Sequence, residues 1–151
     1  MLGICEPFPP PPLSYFPDLR TIDVGDASVV MRFEAQGMNL ERIVHLDQAE
    51  HPQSLAPSIM GHSIGRWEGD TLVIDTVAIA PHPLGWSLSA RLIERLTLGR
   101  DRMHLEYALT IEDPEYLVEP VSYTATWDHR PDLEPSGEGC DPDIARRALE
   151  R

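Results

Sequence analysis

The dipeptide Gly69-Asp70, set between two segments rich in Trp, Val, Ile and Thr, constrains this chain more than any other feature. It suits a two-residue turn whose first residue takes a positive φ, so residues 61–76 are predicted to form a β-hairpin. A tight turn also fixes the register. With Glu68 opposite Thr71, Trp67 faces Leu72, Arg66 faces Val73, Ile64 faces Asp75 and His62 faces Val77. Alternation then puts His62, Ile64, Arg66, Val73, Asp75 and Val77 on one face. Asp75 has His62 and Arg66 as diagonal neighbours, roughly 7–8 Å away between backbones and closer between side-chain tips. A carboxylate in that company needs a partner or a purpose. A His-Asp-Arg cluster for proton transfer is one reading; an Asp75–Arg66 structural ion pair, with His62 merely capping the strand, is the other.

A second carboxylate breaks an apolar pattern. In residues 90–98, Ala90, Leu92, Glu94, Leu96 and Leu98 point one way, while Arg91, Ile93, Arg95 and Thr97 point the other. The following strand, 103–111, places Met103, Leu105, Tyr107, Leu109 and Ile111 on one face. A loop of Gly99-Arg100-Asp101-Arg102 pairs Leu98 with Met103, which sets Glu94 opposite Tyr107 on the inner face and Arg95 opposite Glu106 on the outer. A buried carboxyl without a cationic partner is driven toward its neutral form and can act as an acid or base near neutral pH. Packing alone, with Glu94 hydrogen-bonded to the Tyr107 hydroxyl, explains the same pattern. Both readings take Asp75 and Glu94 to face the same interior.

Eight strand signals recur, over about residues 20–24, 27–35, 40–46, 61–67, 71–79, 90–98, 103–111 and 120–128. With turn residues between most of them, they predict an all-β protein: an antiparallel up-and-down barrel or a strongly curled sheet, lipocalin-like. One domain spans 1–151. Pro7 and Pro9 to Pro12 make residues 1–19 an extended proline-rich arm, and residues 141–151, opening Asp-Pro-Asp, read as a short C-terminal helix. Two connections, Asp47 to Met60 and Ala80 to Ser89, are longer than a hairpin needs and are expected to cover one mouth of the barrel. Their His51, Met60, His82 and Trp86 are residue types that line ligand pockets.

Twelve Lys and Arg against 25 Asp and Glu leave a formal net charge of −13, which repels phosphate backbones and anionic lipid and argues against nucleic-acid and polybasic membrane binding. No apolar run is long enough to cross a bilayer, and no signal peptide is visible. As it stands the chain reads as cytoplasmic, or as periplasmic if a leader has been removed. Cys5 and Cys140 have no metal-site spacing; one disulfide between arm and tail and two free thiols both fit. No histidine pair has recognised metal-ligand spacing, and no Gly-rich dinucleotide fingerprint is present, so neither a metal nor a cofactor is expected.

The run Met-Gly-His-Ser-Ile-Gly-Arg-Trp-Glu-Gly-Asp-Thr-Leu-Val-Ile-Asp-Thr at 60–76 resembles the signature of a large, mostly uncharacterised bacterial family of small β-rich proteins. Weaker likenesses continue through Arg42-Ile43, Leu46-Asp47, His51-Pro52, Ile93-Glu94-Arg95, Leu105-Glu106-Tyr107 and Glu112-Asp113-Pro114. The resemblance implies a periplasmic location with a cysteine near each end. It implies no particular activity.

Two functional classes follow. In the first, a cofactor-independent enzyme of isomerase or lyase type acts on a hydrophobic small molecule inside the barrel. Asp75 or Glu94 moves a proton, His62 relays it, and Arg66 or Tyr107 stabilises charge developing on oxygen. Met60, Ile64, Trp67, Val73, Val77, Trp86, Leu92 and Leu96 are the candidate ligand-lining residues. The alternative is a non-catalytic carrier that anchors an apolar ligand with the same groups. A third possibility locks both acids in ion pairs with no cavity. A homo-oligomer is compatible with all three.

Overall fold

The computed structural model describes residues 19–35, 38–81 and 86–132. The proline-rich arm before Leu19, the helix expected over 141–151, Cys5, Cys140 and His82 lie outside the described residues. Eight strands form: β1 (Leu19–Val24), β2 (Ser28–Ala35), β3 (Met38–His45), β4 (His62–Glu68), β5 (Thr71–Val77), β6 (Arg91–Leu98), β7 (His104–Glu112) and β8 (Val121–Asp128). They pair in chain order within one sheet, which curls into a half-barrel. Of the two expected forms, the curled sheet is the one adopted. Its edges are β1 and β8, and no ladder joins them among the described residues. Among the described residues, no helix is long and apolar enough to cross a membrane.

Alternation supplies the core. Val29, Met31 and Phe33 from β2, Val44 from β3, Leu72 and Ile74 from β5, Leu92 and Leu96 from β6, and Tyr107, Leu109 and Ile111 from β7 form one buried cluster, joined by Ile79. At the β8 edge, Trp127 stacks on Tyr107 with ring centroids 4.7 Å apart. The opposite face of the sheet is polar and ladders its charges. Arg32 reaches Asp23 and Glu41, and Glu68 is shared by Arg66 and Arg95.

The β4–β5 register is the one the turn dictates, from Glu68↔Thr71 to His62↔Val77, with Gly69 at φ +60°. The β6–β7 register differs from expectation by two residues. Leu98 pairs with Leu105, Glu94 with Leu109 and Arg95 with Ala108. The turn is longer than composition suggests because Asp101 holds it open. Its carboxylate accepts from the Met103 amide at 3.0 Å and meets His104 Nδ1 at 2.6 Å, while Arg102 adopts φ +58°. A slip of two keeps every side chain on its face, so Glu94 and Tyr107 remain together on the inner side.

Two further corrections matter for the site. The β3–β4 pair is parallel, not antiparallel, and only Val44↔Ser63 and His45↔Ile64 join it. The 46–61 connection therefore has to turn back beside β4. It does so under three restraints: the Leu46 amide donates to Ala27 O at 2.8 Å, the Ser58 amide to Ala78 O at 3.1 Å, and the Ala80 amide to Ser58 O at 2.8 Å. Secondly, Ile74 pairs with Glu94 and Asp75 with Ile93. Glu94 thus shares the core face with Ile74, whereas Asp75 lies on the opposite face. The two acids cannot serve one interior cavity.

Candidate functional site

On the core face, five successive strands each contribute one polar side chain to a buried belt. Arg42 on β3 and Glu94 on β6 are 2% and 1% exposed. The Arg42 guanidinium donates from Nε to Ser63 Oγ on β4 at 3.0 Å and from Nη2 to Thr76 Oγ1 on β5 at 2.6 Å. It grips Glu94 through both terminal nitrogens, Nη1 to Oε1 at 3.0 Å and Nη2 to Oε2. Tyr107 on β7 donates its hydroxyl to Glu94 Oε1 at 2.9 Å, and the Ser63 and Thr76 hydroxyls bond each other at 2.9 Å. Burial pulls the Arg42 pKa down, but the charge of Glu94 and their hydrogen bonds outweigh it, and the net shift is upward. Glu94 is therefore a buried carboxylate paired with Arg42 and held by the Tyr107 hydroxyl.

On the outer face the carboxylate of Asp75 is a different matter. It is 8% exposed, and neighbouring Val73 is 1% exposed, although both point away from the core. The 46–61 connection brings His51 against this surface. Arg91, one strand over, clamps Asp75 with Nε to Oδ1 at 2.9 Å and Nη2 to Oδ2 at 2.5 Å, and extends toward Glu112 at 3.9 Å. Arg66, the expected partner, bonds Glu68 instead. His51 faces Asp75 Oδ1 through Nε2 at 3.6 Å, beyond hydrogen-bond length. Its other nitrogen, Nδ1, meets His62 Nδ1 at 2.8 Å. The His45 ring stacks on His62 with centroids 5.1 Å apart and planes 16° from parallel.

The electrostatics follow from these contacts. Burial alone raises the Asp75 pKa, but Arg91 and then His51 overcome it and hold the carboxyl below its ordinary value. His62 is pushed below the ordinary histidine value by burial first, then by His51 and His45. Which Nδ1 donates across the His51–His62 contact depends on the tautomers: a proton on His51 Nε2, the nitrogen facing Asp75, leaves His51 Nδ1 to accept from His62 Nδ1–H. The lone pair of His62 Nε2 is then the basic position at the outer end of the line.

A groove of about 360 Å³ is bounded by Leu46, Asp47, Gln48, Ala49, Ile64, Gly65 and Arg66, and none of His45, His51, His62 and Asp75 lines it. Its volume is within the range of small-molecule sites. Ile64 is the same-face neighbour of both His62 and Arg66 on β4, about 7 Å along the strand from each. The other predicted lining residues divide between two faces. Leu92 and Leu96 are in the core, Met60 packs against it, and Trp67 is half exposed. Val73 and Val77 lie on the Asp75 face. Trp86 is partly buried, and its indole Nε1 has no hydrogen-bond partner.

Three residues of these two clusters were not given their contacts from sequence: His51, named as a loop residue of a pocket-lining type; Arg91, placed on the outer face without a partner; and Arg42. The last had a readable signal. It interrupts the apolar positions Leu40 and Val44 just as Glu94 interrupts Leu92 and Leu96, with opposite sign. Among the described residues, no group of three or more His, Cys, Asp or Glu is disposed to hold a metal ion. No family model, curated protein or solved structure matches the chain.

Proposed function

We propose that this protein is a cofactor-independent acid–base enzyme of the isomerase or lyase type, with its reacting centre on the outer face at His62, not inside the half-barrel. The observation that carries this reading is the line Asp75, His51, His62, in which each ring nitrogen along the way faces the next group. His62 Nε2 takes a proton from substrate. As it does so, His62 Nδ1–H passes toward His51 Nδ1, and the positive charge that develops on His51 is met by Asp75. Arg91 keeps Asp75 ionised and oriented. A downshifted His62 is neutral at pH 7, the form a general base requires. The substrate is a small molecule with an apolar body for Leu46, Ala49 and Ile64, and Arg66 at the groove edge is the cation available to charge developing on oxygen.

Proton exchange tests this without knowledge of the natural substrate. A panel of small apolar carbonyl compounds incubated with the protein in deuterium oxide should include members that gain deuterium next to the carbonyl. His62→Gln should abolish the exchange, and His51→Asn should slow it by about 10²-fold, the scale of an acid–base contribution. Exchange unchanged in both variants sinks the reading. Binding in the groove without exchange in any compound points instead to the carrier alternative.

A further inference from the structure

The same histidines occupy a second role that requires no turnover. We propose that the 46–61 connection is a proton-operated latch: it is closed over Asp75 while the His51–His62 pair carries no more than one proton, and acid releases it.

The geometry imposes the limit. Backbone bonds anchor the connection at its ends, at Leu46 and Ser58. Between them, among the described residues, the polar side-chain contacts that tie it to the sheet are those of His51 with His62 and Asp75. With no proton or one proton on the pair, one Nδ1 donates and the other accepts across 2.8 Å. With two, both nitrogens are donors and both rings are cations, and the contact becomes a repulsion. The other ionisable groups meeting here do not relieve it. His45 from β3 stacks on His62 and adds a third charge if it too is protonated. From β6, Arg91 already neutralises Asp75, and from β7, Glu112 approaches only Arg91. Asp75 faces the Nε2 edge of His51 and not the Nδ1 edge that meets His62. The downshift of His62 has the matching sign: the closed form binds fewer protons than the open one, so falling pH favours opening. Opening separates His51 from Asp75, which is 8% exposed in the closed form.

Hydrogen exchange followed by mass spectrometry on the full chain, corrected for intrinsic rates, tests the latch between pH 8 and pH 5. The expected result is a loss of protection of about tenfold or more across residues 46–61 as pH drops below about 6.5, the ordinary histidine value, while β5, β6 and β7 keep theirs. In His62→Gln the amide still pairs with His51 but takes up no proton, so the connection should stay protected throughout. Protection of wild-type residues 46–61 that is unchanged down to pH 5, simultaneous loss across all strands, or opening of His62→Gln at the wild-type pH would each overturn the proposal. Should His62→Gln fail to fold, NMR titration of the wild-type histidines decides. His51 and His62 should take up protons in two separated steps, the second coinciding with loop release; two independent titrations near 6.5 refute it. None of these readouts depends on deuterium transfer to a substrate, so the latch and the catalytic reading fail separately.

Discussion

Replacing Arg42 by Met should cost about 3–5 kcal/mol of folding stability, the penalty for removing one partner of a buried ion pair. The size follows from what is left behind. Arg42 makes four hydrogen bonds, to Ser63, Thr76 and both oxygens of Glu94, and its removal strips two charged donors from a carboxylate that is 1% exposed. Methionine fills most of the vacated volume, so a cavity adds little. The hydroxyls of Ser63 and Thr76 keep each other as partners. The loss is therefore chiefly that of an ionised carboxylate stranded in the core. With a urea dependence of about 1–3 kcal/mol per molar, the unfolding midpoint should fall by roughly 2 M. The double variant Arg42→Met, Glu94→Leu removes both charges and should recover at least about 2 kcal/mol of the single loss. A cost for Arg42→Met below about 1 kcal/mol, or a double variant as unstable as the sum of its parts, would refute the argument that the pair is desolvated and coupled.

Asp75 has its pKa depressed in the fold, so its stabilising contribution is present above about pH 4 and is lost as pH falls below that value. Asp75→Asn should remove that acid limb from the stability profile and cost about 1–2 kcal/mol near neutrality, a discounted figure because Arg91 is half exposed. Gly65→Ala would place a Cβ 2.7 Å from Val44 Cγ1 and 3.0 Å from Leu46 Cδ2. Overpacking there should lower stability by about 1–3 kcal/mol in thermal unfolding, with β3 pushed away from β4. Asp113→Ala should cost about 1–3 kcal/mol and speed amide exchange at Ser87, since the buried Asp113 carboxylate accepts from the Ser87 amide at 2.8 Å and its hydroxyl at 2.6 Å.

All eight strands and the β4–β5 register were legible because both depend on neighbours in sequence: alternation marks a half-buried strand, and a two-residue turn leaves one register. The β6–β7 register was not, because Asp101 acts as a local cap and lengthens the turn in a way that composition does not reveal. Face assignment across β5 and β6 needed a register set by the 78–90 connection, whose length leaves the pairing open. That is why Asp75 and Glu94 were expected together and are found apart. Arg42 and Glu94 are 52 positions apart, and their meeting depends on β3 turning parallel beside β4. His51 reaches Asp75 only because a long loop folds back across the sheet, a placement fixed by tertiary packing and not by any periodicity in residues 47–60.

The brevity of the β3–β4 ladder has a geometric consequence. Two residue pairs are too few to set the angle between the β1–β3 segment and the β4–β8 meander, so that segment is hinged, not splinted, by its backbone. Side chains add to the connection there. Arg42 reaches from β3 to β6 within the core and so ties the first three strands to the middle of the meander. One buried ion pair thus does across four strands what a longer backbone ladder would do between two.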